Sequence, residues 1–254
     1  MAGHSKFKNI MHRKGAQDKK RASLFARLGK EIIVAAKMGG ADPDANSRLR
    51  LAIQNAKSQS MPKDNIERAI KRGAGGNEDD NFEEIRYEGY APGGVAVIVD
   101  CLTNNRNRSA SDVRAIFSKA GGALGETGSV SFMFDRAGEV KLPKNVGDYD
   151  DVFEAAVEAG AHDVEETDEA YEVFCDSDDL NMVSSHLEAD LCAKKSLELL
   201  SANLIWRPKN FIAIDDVDKA KSLLKFMDAL DDNDDVQDVT ANFDIPDNIM
   251  ENIE

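Results

Sequence analysis

Lysine and arginine are concentrated in the first 76 residues, where cationic side chains could bind a polyanion. This segment holds 17 Lys and Arg but only 6 Asp and Glu, which gives it a net charge of +11. The rest of the chain holds 15 Lys and Arg against 41 Asp and Glu, a net charge of −26. Because a basic block concentrates phosphate polymers and an acidic block repels them, the N-terminal segment is predicted to bind nucleic acid.

The first 16 residues are predicted to be a mobile arm that becomes ordered on a partner, because their few apolar residues form no sustained helical face. A single Lys or Arg is often merely solvated, so the prediction of binding depends on the collective excess of positive charge. From the arm, the predicted nucleic-acid-binding set includes His4, Ser5, Lys6, Lys8, His12, Arg13 and Lys14.

Three predicted helices carry the rest of the basic residues. Apolar residues recur at helical spacing over residues 17–38, and Gly39-Gly40 is expected to end that helix. Asp42-Pro43 is expected to start the second helix and Pro62 the third, with Gly73 as the C-terminal cap of the third. From these helices, the set includes side chains expected on their outward faces: Lys19, Lys20, Arg27, Lys30, Lys37, Arg48, Arg50, Lys57, Arg68, Lys71 and Arg72.

The turn at residues 58–61 allows a helix-turn-helix interpretation of the second and third helices. This is the weaker hypothesis, because short turns join helices in most bundles and no side-chain pattern here specifies a base code.

A second candidate phosphate site lies in a turn before a predicted helix and comprises Asn104, Asn105, Arg106 and Arg108, with Ser109 beside them. Backbone N–H groups at a helix start and two guanidinium groups could together hold one phosphate. The alternative is a turn whose arginines pair with nearby carboxylates, and the sequence supports both interpretations equally.

The acidic remainder alternates predicted strands and helices. Residues 139–206 follow the order β-α-β-β-α-β, which is the ferredoxin-like signature, with elements at 139–142, 149–159, 163–166, 171–175, 180–191 and 196–206. Around this unit, one sheet is expected from strands at 84–89, 95–102, 130–134, 211–214 and 236–241, with helices at 109–120 and 217–230.

The predicted fold class is therefore α+β multidomain: an N-terminal three-helix bundle followed by two α/β (ferredoxin-like) domains, one inserted in the other. The expected domains are residues 1–76, residues 82–134 plus 207–245, and the inserted residues 135–206. Residues 73–80 are expected to be a flexible linker at the point where the charge changes sign.

Signatures of enzymes and metal sites are weak or missing in the sequence. No phosphate-binding glycine loop of the P-loop or dinucleotide type is present, and no His or Cys lies at zinc-binding spacing. Asp231, Asn233 and Asp235 resemble the start of a calcium loop, but Val236 and Asn242 stand where glycine and glutamate are needed. We therefore expect no cofactor, no metal and no small-molecule substrate, although an enzyme with an unrecognised carboxylate site is a third hypothesis.

The composition favours a cytoplasmic protein without a membrane segment. No uninterrupted apolar run approaches the ~18 residues of a membrane span, and the N-terminus does not begin with an apolar signal core. The three cysteines, Cys101, Cys175 and Cys192, are far apart and lie in apolar or amphipathic runs, which predicts buried, reduced thiols.

Several segments together resemble the YebC family over nearly the whole chain. The specific ones lie at residues 2–10, 12–14, 35–40, 42–46, 87–90, 92–94 and 104–108, with a looser match at 234–239. Phe7 departs from the family pattern, which usually has tryptophan there, but an aromatic ring is retained.

This resemblance implies a helical domain, two α/β domains and a role in gene expression without catalysis. Bacterial members are described as probable transcriptional regulators that bind DNA. Mitochondrial relatives are translational activators, and bacterial members have been placed on the ribosome, where they relieve stalling at proline-rich stretches. Since DNA and ribosomal RNA both require a phosphate-binding face, the charge distribution cannot choose between them.

Overall fold

A computed structural model describes residues 17–75 and 81–253, with side chains described from residue 21 onward. The helices of this part of the chain are α1 (Gln17–Gly39), α2 (Ser47–Ser58), α3 (Lys63–Ala74), α4 (Arg106–Lys119), α5 (Tyr149–Glu158), α6 (Leu180–Leu187), α7 (Val217–Asp231) and α8 (Asp247–Glu251). The strands are β1 (Glu83–Tyr90), β2 (Ala96–Thr103), β3 (Ala123–Leu124), β4 (Phe134–Pro143), β5 (Asp163–Glu166), β6 (Ala170–Asp176), β7 (Ser201–Pro208), β8 (Ile212–Ala213), β9 (Val236–Ala241) and β10 (Phe243–Asp244).

The described residues form two compact units. The first unit consists of residues 17–27, 81–135 and 206–253, and the second consists of residues 28–75 and 136–205. The second unit therefore contains most of the basic helices together with most of the inserted ferredoxin-like domain.

The junction between α1 and α2 is fixed by Asn46. Its side-chain oxygen accepts a hydrogen bond from the Leu49 N–H at 3.1 Å, and its amide nitrogen donates to the carbonyls of Ala35 and Gly40 at 2.8 Å each. The prediction that Asp42-Pro43 starts α2 is wrong, because Asp42 instead accepts from the Asp44 N–H and closes a turn before the helix.

The packing of α3 against α1 requires a glycine at position 73. A Cβ atom there would lie only 2.4 Å from the Ile33 carbonyl oxygen and 2.9 Å from the Ala36 Cβ. The prediction that Gly73 caps α3 is therefore wrong: it lies inside the helix, where it allows the close approach, and Gly75 is the cap residue.

The sheet of the first unit has the order β3-β1-β2-β9, with antiparallel pairing throughout. The predicted hairpin of β1 and β2 is confirmed. Strand β2 is buried on both faces: Val97 and Val99 pack in a core with α4 and α7, while Ile98 packs with Val130 on the other face. The predicted strand at 211–214 does not join this sheet, because β8 pairs with β10 in a separate parallel pair.

The second unit contains the β-α-β-β-α-β order expected of the inserted domain. Its sheet has the order β5-β6-β4-β7, and β6 is antiparallel to both β4 and β5. Helices α5 and α6 bury Val152, Ala156 and Val183 in its core. The helix predicted over residues 180–191 ends at Leu187, where a π-helical turn over Glu188–Cys192 replaces its last turn, and the following strand begins at Ser201 rather than 196.

Buried Glu88 explains why residues 130–134 do not form the predicted strand. Its carboxylate accepts hydrogen bonds from the backbone N–H groups of Val130 and Ser131 at 2.9 Å each, so these groups are unavailable to a strand partner. Residues Ser131–Met133 instead form a 3-10 turn. Burial raises the pKa of Glu88, but the hydrogen bonds from Val130, Gly128 and Ser131 lower it, and the net pKa lies below the ordinary value.

The neighbours of Glu88 in the segment Tyr87-Glu88-Gly89-Tyr90 also have structural roles. The Tyr87 hydroxyl hydrogen-bonds to the Ser109 hydroxyl at 2.8 Å, and the Tyr90 hydroxyl donates to the Ser129 carbonyl at 3.1 Å. A Cβ atom on Gly89 would lie 2.5 Å from the Ala123 carbonyl oxygen. Through these contacts, the segment attaches α4, β3 and the loop that precedes the 3-10 turn to strand β1.

We expect Glu88→Gln to lower the free energy of unfolding at pH 7 by roughly 1–3 kcal/mol, because a neutral amide accepts backbone hydrogen bonds less strongly and adds unpaired donors. A carboxylate with a lowered folded-state pKa stabilises the protein above its unfolded pKa of about 4.3, and this contribution disappears as pH falls through the folded pKa. Urea denaturation from pH 7 to 3 should therefore show the difference between wild type and variant narrowing below about pH 4. Glu83→Gln, an exposed change on the same strand, is the control, and a difference independent of pH would contradict the assignment.

Candidate nucleic-acid interface

The predicted binding residues of the arm, His4, Ser5, Lys6, Lys8, His12, Arg13 and Lys14, lie outside the described residues. The side chains of Lys19 and Lys20 also lie outside the described part, although the backbone of both belongs to α1. For these nine residues, nucleic-acid contact stays a prediction.

On α1, the structure gives Arg27 an intramolecular partner. Its guanidinium forms an ion pair with Asp231 at the end of α7, with Nη1 2.5 Å from Oδ1, and only 16% of the arginine side chain is exposed. The expectation that Arg27 faces solvent is therefore wrong. Lys30 is half-buried, whereas Lys37 is exposed in the last turn of the helix.

Both arginines at the start of α2 are engaged within the second unit. Arg48 donates to the two carboxylate oxygens of Glu31 at 2.7 and 3.1 Å. Arg50 donates to the Asn181 side-chain oxygen on α6 at 2.8 Å. Their guanidinium groups therefore position α2 in this structure.

Polar side chains on one face of α2 attach this helix to the inserted domain. The Asn55 amide donates to the Ala202 carbonyl at 3.1 Å and accepts from the Ala202 N–H at 3.0 Å, so it pairs with β7 as a peptide group would. Gln54 donates to Glu188 at 2.7 Å, and Leu51 packs against the domain core. The sequence prediction missed this contact because Gln54 and Asn55 match no binding motif.

The C-terminal part of α3 presents cations to solvent. Arg68 and Lys71 lie three residues apart, hence on neighbouring positions of one helix face, and neither forms an ion pair with a described residue. Exposed Arg72 follows Lys71, and exposed Lys57 lies in the last turn of α2. We call Lys57, Arg68, Lys71 and Arg72 the cationic face.

The second candidate site lies at the N-terminus of α4. Asn105 is the N-cap, and its side-chain oxygen accepts from the Arg108 N–H at 3.0 Å. The Arg108 guanidinium donates from Nε and Nη2 to the Asp235 carboxylate at 3.0 and 2.8 Å, and from Nη2 to the Asn104 side chain at 3.3 Å. The Arg106 side chain is exposed and forms no ion pair with a described residue.

The Asp235 carboxylate is 3% exposed, so its charge requires a partner. Arg108 supplies that charge, so this arginine pairs with a carboxylate 127 residues away in the sequence and not with one of the nearby carboxylates of the alternative interpretation. A phosphate would have to share Arg108 with Asp235 or bind to Arg106 alone. Phosphate binding at this site stays a prediction.

The three cysteines are buried thiols that form no disulfide with one another, as predicted. Burial raises the pKa of Cys175 to about 11, with further effects of Asp179 and Asp176, and burial likewise raises the pKa of Cys192 to about 11, with Glu188 adding to it. Because the thiolate is the reactive species, Cys175 and Cys192 are poor nucleophiles at neutral pH.

The described part of the chain has neither a metal-binding cluster nor a membrane-spanning helix. It contains no group of three His, Cys, Asp or Glu side chains placed to hold a metal ion. None of its helices is both long enough and apolar enough to cross a bilayer. In the segment that resembled a calcium loop, Asp231 binds Arg27 and Asp235 binds Arg108.

Two family models match the sequence. The model of the TACO1/YebC N-terminal domain matches residues 5–76, and the model of the TACO1/YebC second and third domain matches residues 82–243. The chain is also similar to the crystal structure of a conserved hypothetical protein from Aquifex aeolicus, with 44% identity over 94% of this chain and 96% of that chain and a TM-score of 0.83. The fold and these matches define a multidomain protein of the regulator type. The chain belongs to the TACO1/YebC family.

Separate substitutions should distinguish the two arginines of the second site. We expect Arg108→Gln to lower the free energy of unfolding by roughly 1–3 kcal/mol, because it removes the guanidinium that forms an ion pair with the buried Asp235 carboxylate. Arg106→Gln should change that free energy by no more than about 0.5 kcal/mol. Urea denaturation measures both effects. Adding Asp235→Asn to Arg108→Gln should restore much of the lost stability, and a stable Arg108→Gln single variant would contradict the structural assignment.

Proposed function

We propose that this protein is a non-enzymatic regulator of gene expression that binds nucleic acid through its basic helical segment. The observation that carries the proposal is the cationic face, where Arg68 and Lys71 point to solvent without ion-pair partners among the described residues. Residues 1–16 add four more Lys and Arg at one end of the same segment. The protein acts in the cytoplasm, a reducing compartment suited to three buried cysteines that form no disulfide with one another.

Duplex DNA is the first candidate partner. The family that matches residues 82–243 is named for transcriptional regulation. Helices α2 and α3 are joined by a short turn in which Ser60 has a φ of 58°, and in a helix-turn-helix built on this turn α3 would be the second helix. In such a motif, the second helix enters the major groove while basic side chains contact phosphates.

Ribosomal RNA is the second candidate, and the solvent face of α3 favours it. Asp64 and Glu67 are exposed in the N-terminal half of this helix, which is the half that reads bases in a helix-turn-helix. In a complex with duplex DNA, these carboxylates would lie close to phosphates and be repelled by them. A folded RNA can instead present its phosphates to Arg68 and Lys71 alone. Translational activation, as in the mitochondrial relatives, would then be the regulatory activity.

Sedimentation of cell lysate through a sucrose gradient, with and without nuclease, separates these candidates. Comigration with ribosomal particles that DNase leaves intact would support the translational role. Association with chromosomal DNA alone, abolished by DNase, would support the transcriptional role. Migration as unbound protein under all conditions would count against nucleic-acid binding itself.

The double variant Arg68→Gln, Lys71→Gln should bind duplex DNA or ribosomal RNA more weakly than the wild type. For duplex DNA, losing two phosphate contacts should reduce the slope of log K against log salt concentration by roughly 1.8. Fluorescence anisotropy over a salt series measures the slope for each polymer.

The control is Lys221→Gln, Lys225→Gln, which removes two exposed lysines from α7 and leaves the cationic face unchanged. Equal losses of binding in the two double variants would show that only net charge matters. The proposal that α3 is part of the interface would then be wrong.

A further inference from the structure

An exposed apolar stripe runs along α5, and an exposed methionine of α6 lies near the C-terminal end of α5. Tyr149, Phe153 and Val157 recur every four residues on α5 and are 36%, 47% and 56% exposed. The Tyr149 and Phe153 rings stack, with their centroids 6.0 Å apart. Met182 on α6 is also 56% exposed, and its Cε lies 3.9 Å from the position that a Cβ atom on Gly160 would occupy. We call Tyr149, Phe153, Val157 and Met182 the apolar stripe.

The core of the inserted domain does not account for these exposed side chains. The opposite face of α5 already buries Val152, Ala155 and Ala156 against the sheet. Single exposed apolar residues are common on proteins, but three on successive turns of one helix, two of them with stacked rings, leave a continuous apolar area in water. Covering such an area with a partner removes apolar surface from water, which is favourable for association.

Carboxylates border the stripe along its length. Asp150, Glu154 and Glu158 are exposed and follow the stripe residues by one position on each turn of α5. Residues 145–193 contain 16 Asp and Glu and neither Lys nor Arg. Lys194 and Lys195 line the same pocket as Glu154 and Glu158, and Lys194 forms an ion pair with Asp190, so carboxylates still outnumber cations beside α5. Lys144 lies over the Tyr171 ring at the Tyr149 end of the stripe, but it forms an ion pair with Glu166.

We propose that the apolar stripe binds a basic amphipathic helix of a partner protein. Helix α5, Tyr149–Glu158, is about 15 Å long, which matches nearly three turns of a partner with apolar residues at positions i, i+3 or i+4, and i+7. Lysines or arginines beside those apolar residues would pair with Asp150, Glu154 and Glu158. The same acidic residues disfavour a nucleic acid, an anionic membrane or a second copy of this face, since each would bring like charge together.

The first test uses two synthetic 18-residue helical peptides that share a leucine face and carry either lysine or glutamate on the other face. By fluorescence anisotropy, we expect the full-length protein to bind the lysine peptide at least tenfold more tightly than the glutamate peptide. Phe153→Ser with Val157→Ser should weaken lysine-peptide binding at least tenfold. Phe211→Ser, which removes an exposed aromatic ring outside the stripe, should leave binding unchanged.

If the serine substitutions unfold the inserted domain, a second variant provides the test. Glu154→Gln with Glu158→Gln leaves the stripe intact and should weaken lysine-peptide binding three- to tenfold, with a smaller dependence on salt. Wild-type affinity in a folded stripe variant, or in the glutamine variant, would overturn the proposal. Dimerisation in analytical ultracentrifugation that the stripe substitutions abolish would assign the surface to a second copy and would also overturn it.

Discussion

The side-chain amide of Asn55 makes the contact on which the placement of the basic helices depends. It satisfies both the N–H and the carbonyl of Ala202 on β7, an edge strand whose backbone groups would otherwise need water or another chain. With α2 fixed in this way, Arg50 reaches Asn181 and Gln54 reaches Glu188. Among the basic helices of the second unit, most of the exposed lysines and arginines then lie on α3. The hydrogen bonds of Asn55 therefore influence which cations of these helices remain exposed to a partner.

Within the second unit, positive and negative charge are concentrated on different segments. The helical segment carries an excess of positive charge, whereas residues 145–193 carry only negative charge. An acidic surface repels polyanions and attracts basic protein segments. The cationic face and the apolar stripe therefore suit different classes of partner and need not compete for one.

Local sequence patterns predicted most elements, because apolar periodicity and turn residues determine them over short distances. The helix α1, the hairpin of β1 and β2 and the ferredoxin-like order follow from such patterns. The partners of Arg27 and Arg108 could not be predicted, since they lie 204 and 127 residues away in the sequence. Asp42 and Asn46 are both good capping residues. Asn46 is the cap because the folded chain places the carbonyls of Ala35 and Gly40 beside its side-chain amide.

The pairing of β2 with β9 has a consequence for synthesis of the chain. The strand β2 is apolar on both faces, yet its second neighbour, β9, begins at residue 236, after the whole inserted domain. At ~5–20 residues per second, a ribosome needs roughly 7–28 s to extend the chain from the end of β2 to the end of β9. During that interval, one edge of the most buried strand lacks its partner. The nascent protein therefore passes through a stage in which shielding by a chaperone or by the ribosome surface would protect it from aggregation.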